Sequence, residues 1–148
     1  MTPSPLATLS PTAAAPARVP SSVQALALAE PLPGFPAHRD FVLVSAEPSG
    51  RLFWLQSVAP EGPRFLAVPA GSYFPDYAPA VPPAACAELG LEEAAEADVY
   101  CLVTVPDGDI EAATANLRAP VVVNPLTSRA RQVVLADGRH PIRRPLRR

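Results

Sequence analysis

The chain has 148 residues, of which 49% are hydrophobic, enough for one soluble domain with a single sizeable core. Its 21 prolines argue against long helices, because each interior proline deletes a hydrogen bond and clashes with the preceding turn. A net charge of −2 argues against nucleic acid as a partner, and no apolar run reaches the length that spans a membrane.

Charge is segregated along the chain. Residues 65–117 carry nine acids (Asp76, Glu88, Glu92, Glu93, Glu96, Asp98, Asp107, Asp109 and Glu111) and no base. Residues 118–148 carry eight arginines against Asp137 alone. The acidic middle suits a basic partner, although the same run also reads as a solvated face offset by the basic tail. All 12 basic residues are arginine.

Residues 1–22 are mostly Pro, Ala, Ser and Thr, a composition that cannot offset chain entropy, and they read as a disordered tail. They lack an uninterrupted apolar core and a basic start, so no signal peptide is expected. A domain is expected over 23–138. Val23–Ala29 is ambiguous by propensity, but its length and the stop at Pro31 and Pro33 favour a strand. Gly34 is expected at positive φ in the turn that follows. Strands are expected at Phe41–Val44, Leu52–Val58 and Arg64–Val68, paired antiparallel across short turns. In the second of these, Phe53 and Trp54 point to opposite faces. The larger Trp54 is expected to be mostly buried, the alternative being an exposed indole at a binding surface.

A proline-rich connection from Pro69 to Pro83 holds Tyr73, Phe74 and Tyr77. Ala84–Leu89, closed by Gly90, reads as a short helix with glycine at its C′ position. Glu92 to Asp98 is acidic and expected to be exposed. Val99–Val105 is the most β-prone run and is expected at the centre of a sheet. Asp107-Gly108-Asp109 reads as a turn, and Glu111–Thr114 as a single helical turn. Val121–Val123 is a buried strand bracketed by Asn116 and Asn124, whose side chains can bond neighbouring backbone where the chain turns. Asn116 could instead help shape a partner surface. Ser128–Leu135 is a last strand, and Arg139–Arg148 a basic tail. Six or seven short strands with little helix suggest a closed or buckled sheet.

No phosphate-binding loop, nucleophile elbow or metal-ligand spacing is present. Cys86 and Cys101 do not form a Cys-x-x-Cys pair. Cys101 reads as a small buried hydrophobe, which fits a reduced cytoplasmic setting, and one disulfide between the two stays open. His38 and His140 are too isolated in sequence to suggest a triad. No enzyme, cofactor or metal is expected. Arg143-Arg144 and Arg147-Arg148 could touch phosphate, which gives a small RNA-binding β-barrel as an alternative reading.

Four segments, taken in order, resemble the flagellar assembly factor FliW family. They are Leu32-Pro33-Gly34-Phe35 with Phe41; Phe53-Trp54-Leu55-Gln56-Ser57; Phe74-Pro75-Asp76-Tyr77; and Ala113 to Asn124 continued by Arg131-Gln132-Val133-Val134-Leu135. The resemblance covers about residues 24–146. Pro69-Ala70-Gly71 departs from it where Asp-Pro is common, and His140 departs where tyrosine is common. It implies a small, mainly β pseudobarrel with one short helix. It also implies a non-enzymatic regulator that binds CsrA, a small basic RNA-binding dimer, and so relieves repression of flagellin translation. The same resemblance implies binding of flagellin itself. Glu92, Glu93, Glu96 and Asp98 are then the candidate contacts for CsrA, with Tyr73, Phe74, Tyr77 and Asn116 as further candidate partner contacts.

Overall fold

The computed structural model describes residues 23–146, so the expectation of a disordered tail over 1–22 lies outside the described residues. Nine strands are present among them: β1 Val23–Leu28, β2 Asp40–Ser45, β3 Phe53–Ser57, β4 Arg64–Pro69, β5 Asp98–Thr104, β6 Thr114–Ala115, β7 Val121–Asn124, β8 Arg129–Gln132 and β9 Arg144–Pro145. The helices are a single turn, α1 Ala70–Tyr73, and α2 Pro83–Leu89. Pro83 opens α2 at a position where its missing N–H costs nothing, and Gly90 closes it at φ 76°.

Strands β4-β3-β2-β1-β8-β7-β5 are hydrogen-bonded in that order, and β5 also pairs with β4, so seven strands close on themselves. Closure leaves no free edge on this ring. The first four strands form the expected antiparallel meander. The one parallel pairing joins β1 to β8, through Ala27–Arg129 and Leu28–Ala130. β5 is central, as its β propensity suggested. One edge takes β4, while the other takes β7 along Asp98–Tyr100 and then β6 along Val103–Thr104. β9 adds to β6, so residues 144–145 of the basic C-terminal stretch lie in the sheet.

Alternation along the strands creates three apolar clusters. Leu26, Leu28, Phe41, Leu43, Phe53, Leu55, Val121 and Val123 pack together as the lumen of the barrel. On the outer surface, Val122, Val133 and Leu135 are covered by Ala85, Cys86 and Leu89 of α2. Elsewhere on that surface, Val68, Cys101 and Ala115 are covered by Ala70, Phe74 and Leu117, with Leu146 packed alongside.

Several expectations need correction. Trp54 is only partly buried, whereas Phe53 and Leu55 are buried in the lumen. The strand period of two forces the choice: orienting Trp54 inward would expel both of its neighbours. The indole instead lies under the Arg64 guanidinium, 4.0 Å from the ring centroid. The last strand is shorter than Ser128–Leu135. Ser128 sits at φ 63° in the turn, and Val133 and Leu135 leave the ladder to bond the carbonyls of Pro120 and Arg118 while staying buried. The helical turn falls at Ile110–Ala112, because Thr114 is taken by β6. Gly34 has φ 89°, as the turn required.

Candidate functional site

The acidic candidates share one exposed connection between α2 and β5. Glu92, Glu93 and Glu96 are all exposed, and Asp98 is exposed at the first position of β5. The Glu96 carboxylate accepts from the backbone N–H groups of Glu92 (3.0 Å) and Glu93 (3.2 Å), which folds this stretch into a tight turn. The nine acids of the 65–117 span do not form one patch. Glu88 is paired with Arg131, which also contacts Glu30 at 3.4 Å. Asp107, Asp109 and Glu111 follow the far end of β5. At ~3.3 Å per residue, the seven residues of β5 hold the two groups roughly 20 Å apart.

The aromatic candidates form a second feature. The Phe74 N–H donates to the Ala70 carbonyl (2.8 Å), and the Tyr77 N–H to the Phe74 carbonyl (2.9 Å), so the segment winds back on itself. Phe74 is 5% exposed and packs over the barrel wall. The Tyr77 hydroxyl donates to the Leu117 carbonyl at 2.5 Å. Burial beside the Cys101 thiol raises the Tyr77 pKa well above its usual value, so the phenol stays a neutral donor. Burial likewise pushes the Cys101 thiol up to about 12. Cys86 and Cys101 are both buried free thiols, with no disulfide between them. Tyr73 lies under Arg51, 4.7 Å from the ring centroid.

Residues 137–146 cross in front of these rings. Arg118 secures them, donating through Nε to the His140 carbonyl (3.0 Å) and through Nη2 to the Gly138 carbonyl (2.9 Å). The Leu117 N–H donates to the Pro141 carbonyl (2.9 Å), and the Leu146 N–H to the Ala113 carbonyl (3.1 Å). A cleft of about 540 Å³ remains between the two segments, with Tyr73, Phe74 and Tyr77 on one side and Arg139, His140 and Arg144 on the other. His140 meets Tyr77 edge to face at 5.3 Å, and Arg144 lies over Phe74 at 5.2 Å.

Asn116 acts one step behind this cleft. Its side-chain oxygen accepts from the N–H groups of Arg118 (3.0 Å) and Ala119 (3.1 Å), which sets the bend that presents Leu117 and Arg118. Asn124 is 4% exposed with both side-chain polar atoms bonded: Nδ2 donates to the Leu89 carbonyl (2.8 Å), and Oδ1 accepts from the Leu126 N–H (2.9 Å). Sequence reasoning found the aromatic wall but missed Arg139, His140 and Arg144 as its facing partners. They lie more than 60 residues away, and no local pattern connects the two segments.

No group of three or more His, Cys, Asp or Glu side chains able to hold a metal ion occurs among the described residues. No helix among them is long and apolar enough to cross a membrane. The architecture is that of a small closed β-barrel protein whose distinguishing features lie on its outer surface, as an aromatic–arginine cleft and an acidic turn. The FliW protein family profile matches residues 14–146. A flagellar assembly factor FliW from Symbiobacterium thermophilum is 41% identical over 115 residues, covering 76% of this chain and 82% of that protein. Another, from Moorella thermoacetica, is 35% identical over 115 residues, covering 78% and 73%. A crystal structure of the flagellar assembly factor FliW superimposes with a TM-score of 0.75 at 27% identity, covering 84% of this chain and 86% of that one. The chain belongs to the FliW family.

Proposed function

We propose that this chain is a non-enzymatic regulator of flagellar assembly in the cytoplasm. It binds the translational repressor CsrA, relieving repression of flagellin translation, and it also binds flagellin, as a chaperone does. The two partners exchange. While flagellin occupies the protein, CsrA is free to repress; once flagellin is exported, the protein sequesters CsrA.

Membership of the FliW family carries this reading, and the exposed Glu92-Glu93-Glu96-Asp98 turn supports it. A carboxylate cluster of this kind steers a basic dimer by charge, which raises the association rate more than it slows dissociation. The alternative is an RNA-binding barrel that uses the arginine-rich end. One arginine there is already engaged, Arg139 by Asp137.

The test is co-purification of the full chain with CsrA and with flagellin, alongside a gel shift with RNA at physiological salt. The expected result is capture of both proteins and no RNA shift. An RNA shift without CsrA capture would overturn the reading. No membrane association is expected.

A further inference from the structure

The cleft between Tyr73–Tyr77 and residues 137–146 has three properties that together specify an occupant. The first is charge. Arg139 is held by Asp137 at 2.8 Å, but Arg144, the other arginine lining the cleft, has no carboxylate partner among the described residues. Arg144 lies over the Phe74 ring. With its guanidinium carbon 5.2 Å from the Phe74 centroid and no carboxylate partner, Arg144 keeps its forked N–H groups for a planar, two-oxygen acceptor, which is the geometry of a carboxylate.

The second property is preorganisation. The Tyr77 hydroxyl is tied to the Leu117 carbonyl, Phe74 is packed into the wall, and Arg118 grips the facing segment through two carbonyls. Little ordering cost is left to offset when a ligand enters. The volume of about 540 Å³ suits a few residues of extended chain.

The third property separates a peptide from a nucleic acid. The Phe74 and Tyr77 rings are already covered by Arg144 and by the edge of His140, so base stacking would have to displace both. Asp76 also lines the cleft and would repel a polyanion more than a single carboxylate.

We propose that this cleft docks an extended segment of a protein partner that carries a carboxylate beside an apolar side chain. The carboxylate is taken by Arg144, and the apolar group packs against Tyr73, the ring of this wall that Arg144 and His140 leave uncovered. This deepens the partner-binding reading above and rests on it, in that the occupant is a protein. The cleft would therefore select an acidic partner segment, whereas the Glu92–Asp98 turn would select a basic one.

The test is an NMR titration of the full 148-residue chain with two capped five-residue peptides. One alternates aspartate with leucine, and the other has asparagine in place of aspartate. A ten-nucleotide oligouridine is titrated in parallel. The expected result is shifts confined to residues 73–77 and 139–146 with the aspartate peptide. Binding of the asparagine peptide should be about tenfold weaker or more, since charge-assisted hydrogen bonds are lost. Arg144→Gln, at an exposed position, should lose the aspartate peptide by a similar factor while its spectrum stays dispersed. Arg144→Lys should lose only part, because charge remains and the planar fork does not.

Equal affinity for the two peptides, undiminished binding by Arg144→Gln, or tighter binding of oligouridine at the same residues would each overturn the proposal. Failure of the broader reading has a separate signature: neither CsrA nor flagellin binds the unaltered chain, whatever the peptides do.

Discussion

Replacing Asn124 by alanine should destabilise the protein by about 3 kcal/mol. Asn124 ends β7 and reaches across 35 residues of sequence to the last carbonyl of α2, so it ties the helix to the barrel wall. Truncation removes two side-chain hydrogen bonds. The Leu126 N–H can turn to water, because Leu126 is 93% exposed at the tip of the turn, and that loss is worth about 1 kcal/mol. The Leu89 carbonyl belongs to a residue with no exposed surface and has no such recourse, so its orphaning adds about 1–3 kcal/mol. The sum is about 3 kcal/mol, which for a domain of this size lowers Tm by roughly 10 °C. Urea denaturation should show an earlier midpoint with an unchanged m-value, and Leu126→Ala should do almost nothing. A loss below about 0.5 kcal/mol for Asn124→Ala would mean that the helix is held by its apolar face alone, and would refute the argument.

Gly62→Ala would place a Cβ 2.3 Å from Ser57 Oγ and 2.9 Å from His38 Nδ1. Ser57 Cβ would also be only 2.4 Å away, so rotating the hydroxyl cannot relieve the clash; the backbone must shift and the Ser57 contacts with His38 (3.0 Å) and the Ala59 N–H (3.1 Å) are lost, at a cost of about 1–3 kcal/mol by thermal denaturation. Gly71→Ala, whose Cβ meets nothing within 4 Å, should be close to neutral. Stability should fall on the alkaline side. The Cys101 and Tyr77 pKa values are raised in the fold, so the neutral forms are favoured there, and the advantage is lost as pH rises from about 9, the ordinary thiol value, through about 12 for Cys101. Urea midpoints across that range measure this, and a flat profile would contradict burial of the pair. Reversing Glu92 and Glu93 to lysine should leave stability within about 0.5 kcal/mol, since both are exposed. It should slow CsrA association at low salt, with the penalty shrinking as salt rises, and an unchanged on-rate would remove this turn from the mechanism.

The local grammar of this fold was legible in the residues themselves. Short apolar and β-branched runs bounded by proline, glycine and asparagine turns marked β1 to β5 and β7, because a strand is short and must end where the chain turns. Gly90 marked the end of α2, because only a left-handed residue closes a helix there without strain. The bracketing of Val121–Val123 by Asn116 and Asn124 was equally visible, as was the acidic character of the stretch before β5. What a single strand could not disclose was which of its faces would be inside: Phe53 and Trp54 look interchangeable until the register with β2 and β4 is known. Closure of the ring through β4 and β5, and the parallel contact of β1 with β8, join segments tens of residues apart that share no local signal. The cleft is of the same kind. The sequence marks Tyr77 as a candidate contact and His140 as a departure from the family pattern, but nothing local joins them; they meet because Asn116 sets a bend whose next residues, Leu117 and Arg118, hold one loop through a hydroxyl and the other through its carbonyls. Hydrophobic pattern and turn chemistry act over a few residues and can be read one segment at a time, whereas the choice among pairings is made by the whole core at once, so the site it creates existed only in the tertiary structure.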